Sequence, residues 1–95
     1  MSEQMDSIRQ QIRDFIMESA QTKNVLSVTD EESLVANGVM DSLEFFRLVG
    51  FLEDNLSITV EDREILVENF QSIDAIVGYV ERKLAPAPVM EPQVA

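Results

Sequence analysis

The segment Gly38–Glu44 carries the residues best placed for chemistry, because it sets a hydroxyl at the start of a predicted helix. Asp41 is a favourable N-cap residue, since its carboxylate can accept hydrogen bonds from the unpaired N–H groups of the first turn. Glu44, three residues later, completes an acidic capping box. Ser42 is then the first helical residue, where the positive end of the helix dipole favours an attached phosphate.

Asp41-Ser42-Leu43 is nevertheless a short motif, and short motifs occur by chance. On these three residues alone, a well-capped helix with an incidental exposed serine is the simpler interpretation. The composition and the order of the remaining elements decide between the two interpretations.

The charge of the chain restricts its partners. The 95 residues suit a single small domain, and 7 Lys and Arg against 18 Asp and Glu give a formal net charge of −11. Nucleic-acid binding requires a basic surface, and an anionic membrane would repel this chain, so both are excluded as partners. A basic protein partner is the natural complement.

The absence of cysteine and histidine excludes several kinds of active site. It removes thiol nucleophiles, histidine bases and the usual zinc ligands, so we predict no catalytic residue, no metal site and no autonomous enzyme. The polar start of the chain is unlike a signal peptide, and no apolar run approaches a membrane span. A cytoplasmic location is therefore expected.

Apolar spacing predicts an all-α domain over residues 1–84. Helices are expected at about Glu3–Ala20 and Ser42–Leu56, with a brief third helix within Glu61–Glu68. Ser72 is expected to cap a last helix that ends near Leu84. Residues 85–95 contain all three prolines and are predicted to be a disordered tail.

A long connection, residues 21–40, leads to the motif. We expect Thr29–Glu32 to cap one short turn of helix, and a tight turn at Asn37-Gly38. Four scattered apolar residues should pin this loop to the domain: Leu26, Val28, Leu34 and Val39. The twelve residues 30–41 have the length of a calcium-binding EF-hand loop. Val35 stands where that loop needs a glycine, and Asp41 stands where it needs a bidentate glutamate, so the pattern fails at positions that the site requires.

Three stretches resemble the acyl and peptidyl carrier protein family, in the family's order. They are the motif Gly38–Leu43, the apolar helix Glu44–Leu56 with the acidic cluster beyond it, and Glu68–Ile76 leading into the last helix. With the first helix, the resemblance covers about residues 3–84. It implies a four-helix bundle with a long first loop, and a carrier that is not itself an enzyme.

The resemblance also implies a cofactor. Ser42 would be esterified by 4′-phosphopantetheine, with Asp41 and Leu43 as the flanking motif residues. A separate phosphopantetheinyl transferase would take the group from coenzyme A with a magnesium ion. The arm's thiol would then hold an acyl or aminoacyl cargo, so the implied partners are a loading ligase or acyltransferase and an accepting enzyme, with the carrier a monomer.

The second helix differs from fatty-acid carriers at Phe46, Arg47 and Gly50, which favours a dedicated stand-alone carrier. We expect these residues, with Glu44, to form the face that partner enzymes recognise. The competing interpretation puts Phe46 in the core and pairs Arg47 with Glu44 or Asp54. Two other functions remain open, a non-loaded acidic helical interaction module and an acidic ion-binding protein.

Overall fold

The computed structural model describes residues 2–84, and these residues form helices with no strand among them. The four α-helices are α1 (Ser2–Thr22), α2 (Ser42–Leu56), α3 (Val67–Phe70) and α4 (Ile73–Leu84). The prediction of an all-α chain is confirmed. The tail predicted at residues 85–95 lies outside the described residues. None of the helices in the described range is long and apolar enough to cross a membrane.

Helix α1 extends two residues past its predicted end at Ala20. Asn24, with φ at 61°, takes the left-handed conformation that terminates helices. The Val25 N–H donates to the Ala20 carbonyl at 2.9 Å, and the Asn24 N–H donates to the Gln21 carbonyl at 3.2 Å. This paired arrangement satisfies the last carbonyls of α1 and turns the chain into the long loop.

The long loop is fixed to the domain, though not entirely as predicted. Val28, Leu34 and Val39 are buried, whereas Leu26 is 95% exposed, so its predicted pinning role is wrong. No helix follows directly at residues 30–32, although the Thr29 N–H and hydroxyl both donate to the Glu32 side chain in the manner of a cap. At Asn37-Gly38 the expected turn is present, with a φ of 86° at the glycine.

Helix α2 has the predicted bounds, and its end at Leu56 is followed by Ser57 with a left-handed φ of 57°. A β-carbon built on Gly50 meets nothing within 4 Å, so no other element of the described residues packs closely against this position. Phe51, one residue further on, stacks on Phe15 of α1 with ring centroids 4.8 Å apart.

The acidic segment Glu61–Glu68, predicted as one brief helix, is divided. A 3₁₀ turn covers Asp62–Glu64, and α3 begins only at Val67. Leu66 between them has an extended backbone, with φ −123° and ψ 143°. An extended residue interrupts helical hydrogen bonding, so the segment bends at Leu66 instead of continuing as one regular helix.

Helix α4 supplies the centre of the core and contacts both α1 and α3. Ser72 caps it as predicted, since its hydroxyl accepts from the Ala75 N–H at 3.0 Å. Phe70, two residues before this cap, is 2% exposed. The apolar stripe of α4 is buried except for its last member, Leu84; the buried members are Ile73, Ile76, Val77 and Val80.

An ion network fastens the loop across α1 and α4. Arg9 binds Asp30 and Asp74, each at 2.7 Å, and Arg13 also pairs with Asp30. The hydrogen bonds that the Arg9 guanidinium donates to Asp74 and to Asp30 raise the pKa of Arg9. Because the Asp74 N–H also donates to the Asp30 carbonyl at 2.9 Å, the loop is held at the start of α4 by side chain and backbone together.

Candidate functional site

Ser42 is exposed and is the first residue of the fifteen-residue helix α2. Asp41 is its N-cap, as predicted, because its Oδ1 accepts from the Glu44 N–H at 2.8 Å. Asp41 has an extended backbone, with φ −126° and ψ −173°. The serine hydroxyl therefore lies where the chain changes from an extended loop to a helix, at an exposed and capped position.

Glu44 does not complete a capping box and does not face a partner. Its side chain is buried, with the residue 3% exposed, where it accepts a hydrogen bond from the Ser19 hydroxyl. Arg47 Nη1 lies 3.2 Å from its other oxygen. A buried carboxylate needs such partners, so the packing of α2 on α1 draws Glu44 inward and away from both predicted roles.

Lys23, on the segment after α1, binds the residues just before Ser42. Its ammonium donates to Asp41 Oδ2 at 2.8 Å and to the Val39 carbonyl at 2.9 Å. The hydrogen bond from Lys23, followed by that from the Glu44 N–H, lowers the pKa of Asp41. Asp41 is thus held as a carboxylate, with one oxygen capping α2 and the other bound to a cation.

An apolar cavity of about 350 Å³ opens beside Ser42. Ser42 and Asp41 form part of its rim. The cavity lies between α2 and the segment that contains α3. The apolar wall includes Met40, Phe45, Ile65, Leu66, Val67 and Phe70. The bend at Leu66 that divides the predicted third helix thereby creates one wall of this cavity.

Three aromatic rings lead from the cavity into the core. Phe45 meets Phe70 edge-on with ring centroids 5.2 Å apart, and Phe70 lies 5.1 Å from Tyr79 of α4. Edge-on aromatic pairs are a favourable packing geometry. The cavity is therefore an opening in a rigidly packed region, and its inner wall belongs to the core.

The residues predicted to form a partner face differ in their exposure. Phe46 is 65% exposed, so the interpretation of this residue as core is wrong, and Leu43 beside it is also exposed. Gly50 is half-buried with open space above it. Arg47 is exposed, but its guanidinium pairs with Glu44 and lies 5.8 Å over the Phe15 ring. The ion pair between Arg47 and Glu44, which the competing interpretation expected, is therefore observed.

A second polar cluster lies at the far end of α4. Glu64 Oε1 accepts from the Glu61 N–H at 3.0 Å, from Lys83 at 3.0 Å and from the Tyr79 hydroxyl at 2.9 Å. The Glu61 N–H and then Lys83 lower the pKa of Glu64 to about 2. Burial, followed by the bond to Glu64, raises the pKa of Tyr79. This cluster closes the 3₁₀ turn onto α4.

Sequence reasoning missed Lys23 and the wall of the cavity. Lys23 follows the expected end of α1, and no local pattern shows that it reaches a residue 18 positions later. Exposed Leu66 and Val67 were taken as ordinary members of a short helix. In the part of the chain that the structure describes, no group of three or more acidic side chains is arranged to hold a metal ion.

Comparison of the chain with family models, with curated proteins and with solved structures finds no match.

Proposed function

We propose that this chain is a stand-alone carrier that holds an acyl or aminoacyl cargo as a thioester on 4′-phosphopantetheine attached to Ser42. One observation carries the proposal: an exposed serine begins a capped helix on the rim of an apolar cavity. The four-helix bundle of the carrier family is part of it. The contacts of α4 with α1 and α3, and the stacking of Phe51 on Phe15, support that arrangement.

The residues at the site fit the phosphopantetheine group. N–H groups of the first turn of α2 favour an anion next to Ser42, and the Asp41 capping bond occupies the Glu44 N–H. The apolar wall beside Ser42 matches the aliphatic parts of such an arm and of an acyl cargo. When attached, the arm supplies a thiol, which this chain otherwise lacks.

Loading is a phosphoryl transfer in which this chain contributes the acceptor. Ser42 Oγ forms a bond to the phosphorus of coenzyme A that bears the pantetheine. The bond from that phosphorus to the nucleotide part breaks, adenosine 3′,5′-bisphosphate leaves, and the serine proton passes to a base of the transferase. The capped start of the helix presents the hydroxyl in one orientation. Less entropy is then lost when the reacting groups are brought together.

A non-loaded interaction module is the second candidate function. It is favoured by the exposed apolar side chains of Leu43, Phe46 and Val67, which an interaction surface would use equally well. The two functions differ in one measurable property, the covalent modification of Ser42.

Intact-mass spectrometry after incubation with coenzyme A, Mg²⁺ and a broad-specificity phosphopantetheinyl transferase tests the proposal. We expect the wild type and the exposed-loop control Ser27→Ala to gain one phosphopantetheine, and Ser42→Ala to gain none while keeping its fold. Modification that maps to Ser57 or Ser72, or no modification of any variant, would reject the carrier assignment and leave the interaction module.

A further inference from the structure

Two of the seven cations in this acidic chain lie at the two carboxylates that flank Ser42. Lys23 binds Asp41 at 2.8 Å, and Arg47 lies 3.2 Å from Glu44. The chain carries eleven more negative than positive charges. A cation paired with each carboxylate on the two sides of Ser42 is therefore a distinct local feature. It leaves the start of α2 close to electrical neutrality.

Of these two cations, Lys23 is the one that also holds the backbone. Its second bond, to the Val39 carbonyl at 2.9 Å, fixes the approach to the N-cap. The Lys23 side chain is 25% exposed and that of Asp41 is 59% exposed, so solvent screens their attraction in part and the fixed geometry of the two hydrogen bonds carries more weight. Lys23 comes from the segment after α1, so it also ties the end of α1 to the start of α2.

We propose that Lys23 is a positioning residue for Ser42, fixing the Val39–Asp41 backbone and offsetting the charge of Asp41 so that an anionic phosphodiester can be formed and held there. This inference rests on the proposed carrier function, because it concerns the loading of the same site. Without Lys23, the Asp41 carboxylate would stand uncompensated next to the incoming phosphate and would repel it.

Loading kinetics of four proteins test the charge and the hydrogen bonds separately. We expect Lys23→Gln to lower kcat/KM for loading about tenfold, the size of effect typical of losing a charged hydrogen bond. Lys23→Arg restores the cation and should recover most of the rate. Arg63→Gln is the matched control, since it removes the same charge from a side chain that is 81% exposed, and it should load like the wild type.

An NMR titration of the Asp41 carboxyl carbon provides a readout that does not depend on loading. Lys23 is the largest cause of the low pKa of Asp41, so Lys23→Gln should raise that pKa and Arg63→Gln should leave it in place. The charges that face Asp41 are Lys23 itself and the start of α2. A displaced Asp41 pKa would support the structural part of the proposal even if no transferase loads the chain. Failure of the wild type to be loaded would reject the carrier function alone.

Two results would overturn the proposal. An Asp41 pKa that is unchanged in Lys23→Gln would show that the ion pair does not form in solution. Wild-type loading kinetics in Lys23→Gln, with the pKa displaced, would show that the pair has no influence on Ser42. As a further check, Asp41→Asn should remove most of the penalty of Lys23→Gln, because the two changes act on one interaction and are not additive.

Discussion

The side of the molecule where α1 meets α4 and the edge between α2 and α3 are built from similar apolar residues but expose them very differently. At α1 and α4, Ile12, Ile76 and Val80 have no exposed surface. At the other edge, Phe46 is 65% exposed and Val67 is 72% exposed, and a cavity of about 350 Å³ separates the elements.

This contrast separates stability from binding. Burial of apolar surface is the main favourable term in folding, so each fully buried residue of the α1–α4 side should contribute more to stability than an exposed residue of the α2–α3 edge. The α2–α3 edge contributes less and leaves apolar surface available for a ligand or a partner. Substitutions on the two sides should therefore have effects of different size and kind.

The largest expected effect is at Ile76, which is fully buried on α4. Ile76→Ala should lower the free energy of unfolding by about 2–5 kcal/mol, because it removes buried methyl groups and leaves a cavity. Val67→Ala at the opposite edge should change it by no more than about 0.5 kcal/mol. Urea unfolding followed by circular dichroism measures both. Equal losses would contradict the separation of the two sides; if Ile76→Ala does not fold, Ile76→Val gives the comparison.

Glu44, where the two sides meet, should show the next largest effect. Glu44→Ala removes a buried carboxylate that accepts from the Ser19 hydroxyl and pairs with Arg47, so we expect a loss of about 1–3 kcal/mol in urea unfolding. Glu44→Gln keeps an acceptor oxygen and should lose less. Glu31→Ala, at an exposed acidic residue, is the control. A Glu44→Ala protein as stable as this control would place Glu44 at the surface.

The Glu64 cluster predicts a smaller, pH-dependent effect. The pKa of Glu64 is about 2 in the folded chain, below the reference value of 4.5 for a glutamate. The Glu64 carboxylate therefore stabilises the fold above pH 4.5. That contribution should decline as the pH falls from 4.5 toward 2. Thermal unfolding over this range should show the wild type losing part of its advantage over Glu64→Gln. A difference between the two proteins that is constant with pH would show that the low pKa is absent.

Phe46→Ser should have the smallest effect on stability and a clear effect on partners. The side chain is mostly exposed, so the change in unfolding free energy should stay within about 0.5 kcal/mol. Under the proposed carrier function, transfer of cargo by a loading enzyme should weaken, whereas Leu84→Ser on α4 should leave that transfer unchanged. Arg47 is unsuitable for this test, because reversing its charge beside buried Glu44 would destabilise α2.

The sequence predicted features that depend on neighbouring residues. The Asp41 cap, the bounds of α2 and the Ser72 cap are set by side chains within three positions of the backbone that they bind. Glu44 was misjudged for the opposite reason. Its environment is set by Ser19, 25 residues earlier, and local spacing gives no information about such a contact.

The same limit explains the other differences at the candidate site. Leu26 was expected to pin the loop because it is apolar, but apolar character does not decide which loop residues find a surface to cover. The division of Glu61–Glu68 at Leu66 depends on how this segment packs between α2 and α4. The cavity is formed by elements that are distant in sequence, so no single stretch could have revealed it.

Tyr79 gives the molecule an internal optical reporter. It is the only tyrosine, and the chain contains no tryptophan, so ultraviolet emission comes largely from one buried phenol. That phenol bonds to Glu64 on one side and, through Phe70, adjoins the wall of the cavity on the other. Unfolding of α4 and filling of the cavity beside Ser42 should therefore both alter the fluorescence of the unlabelled protein.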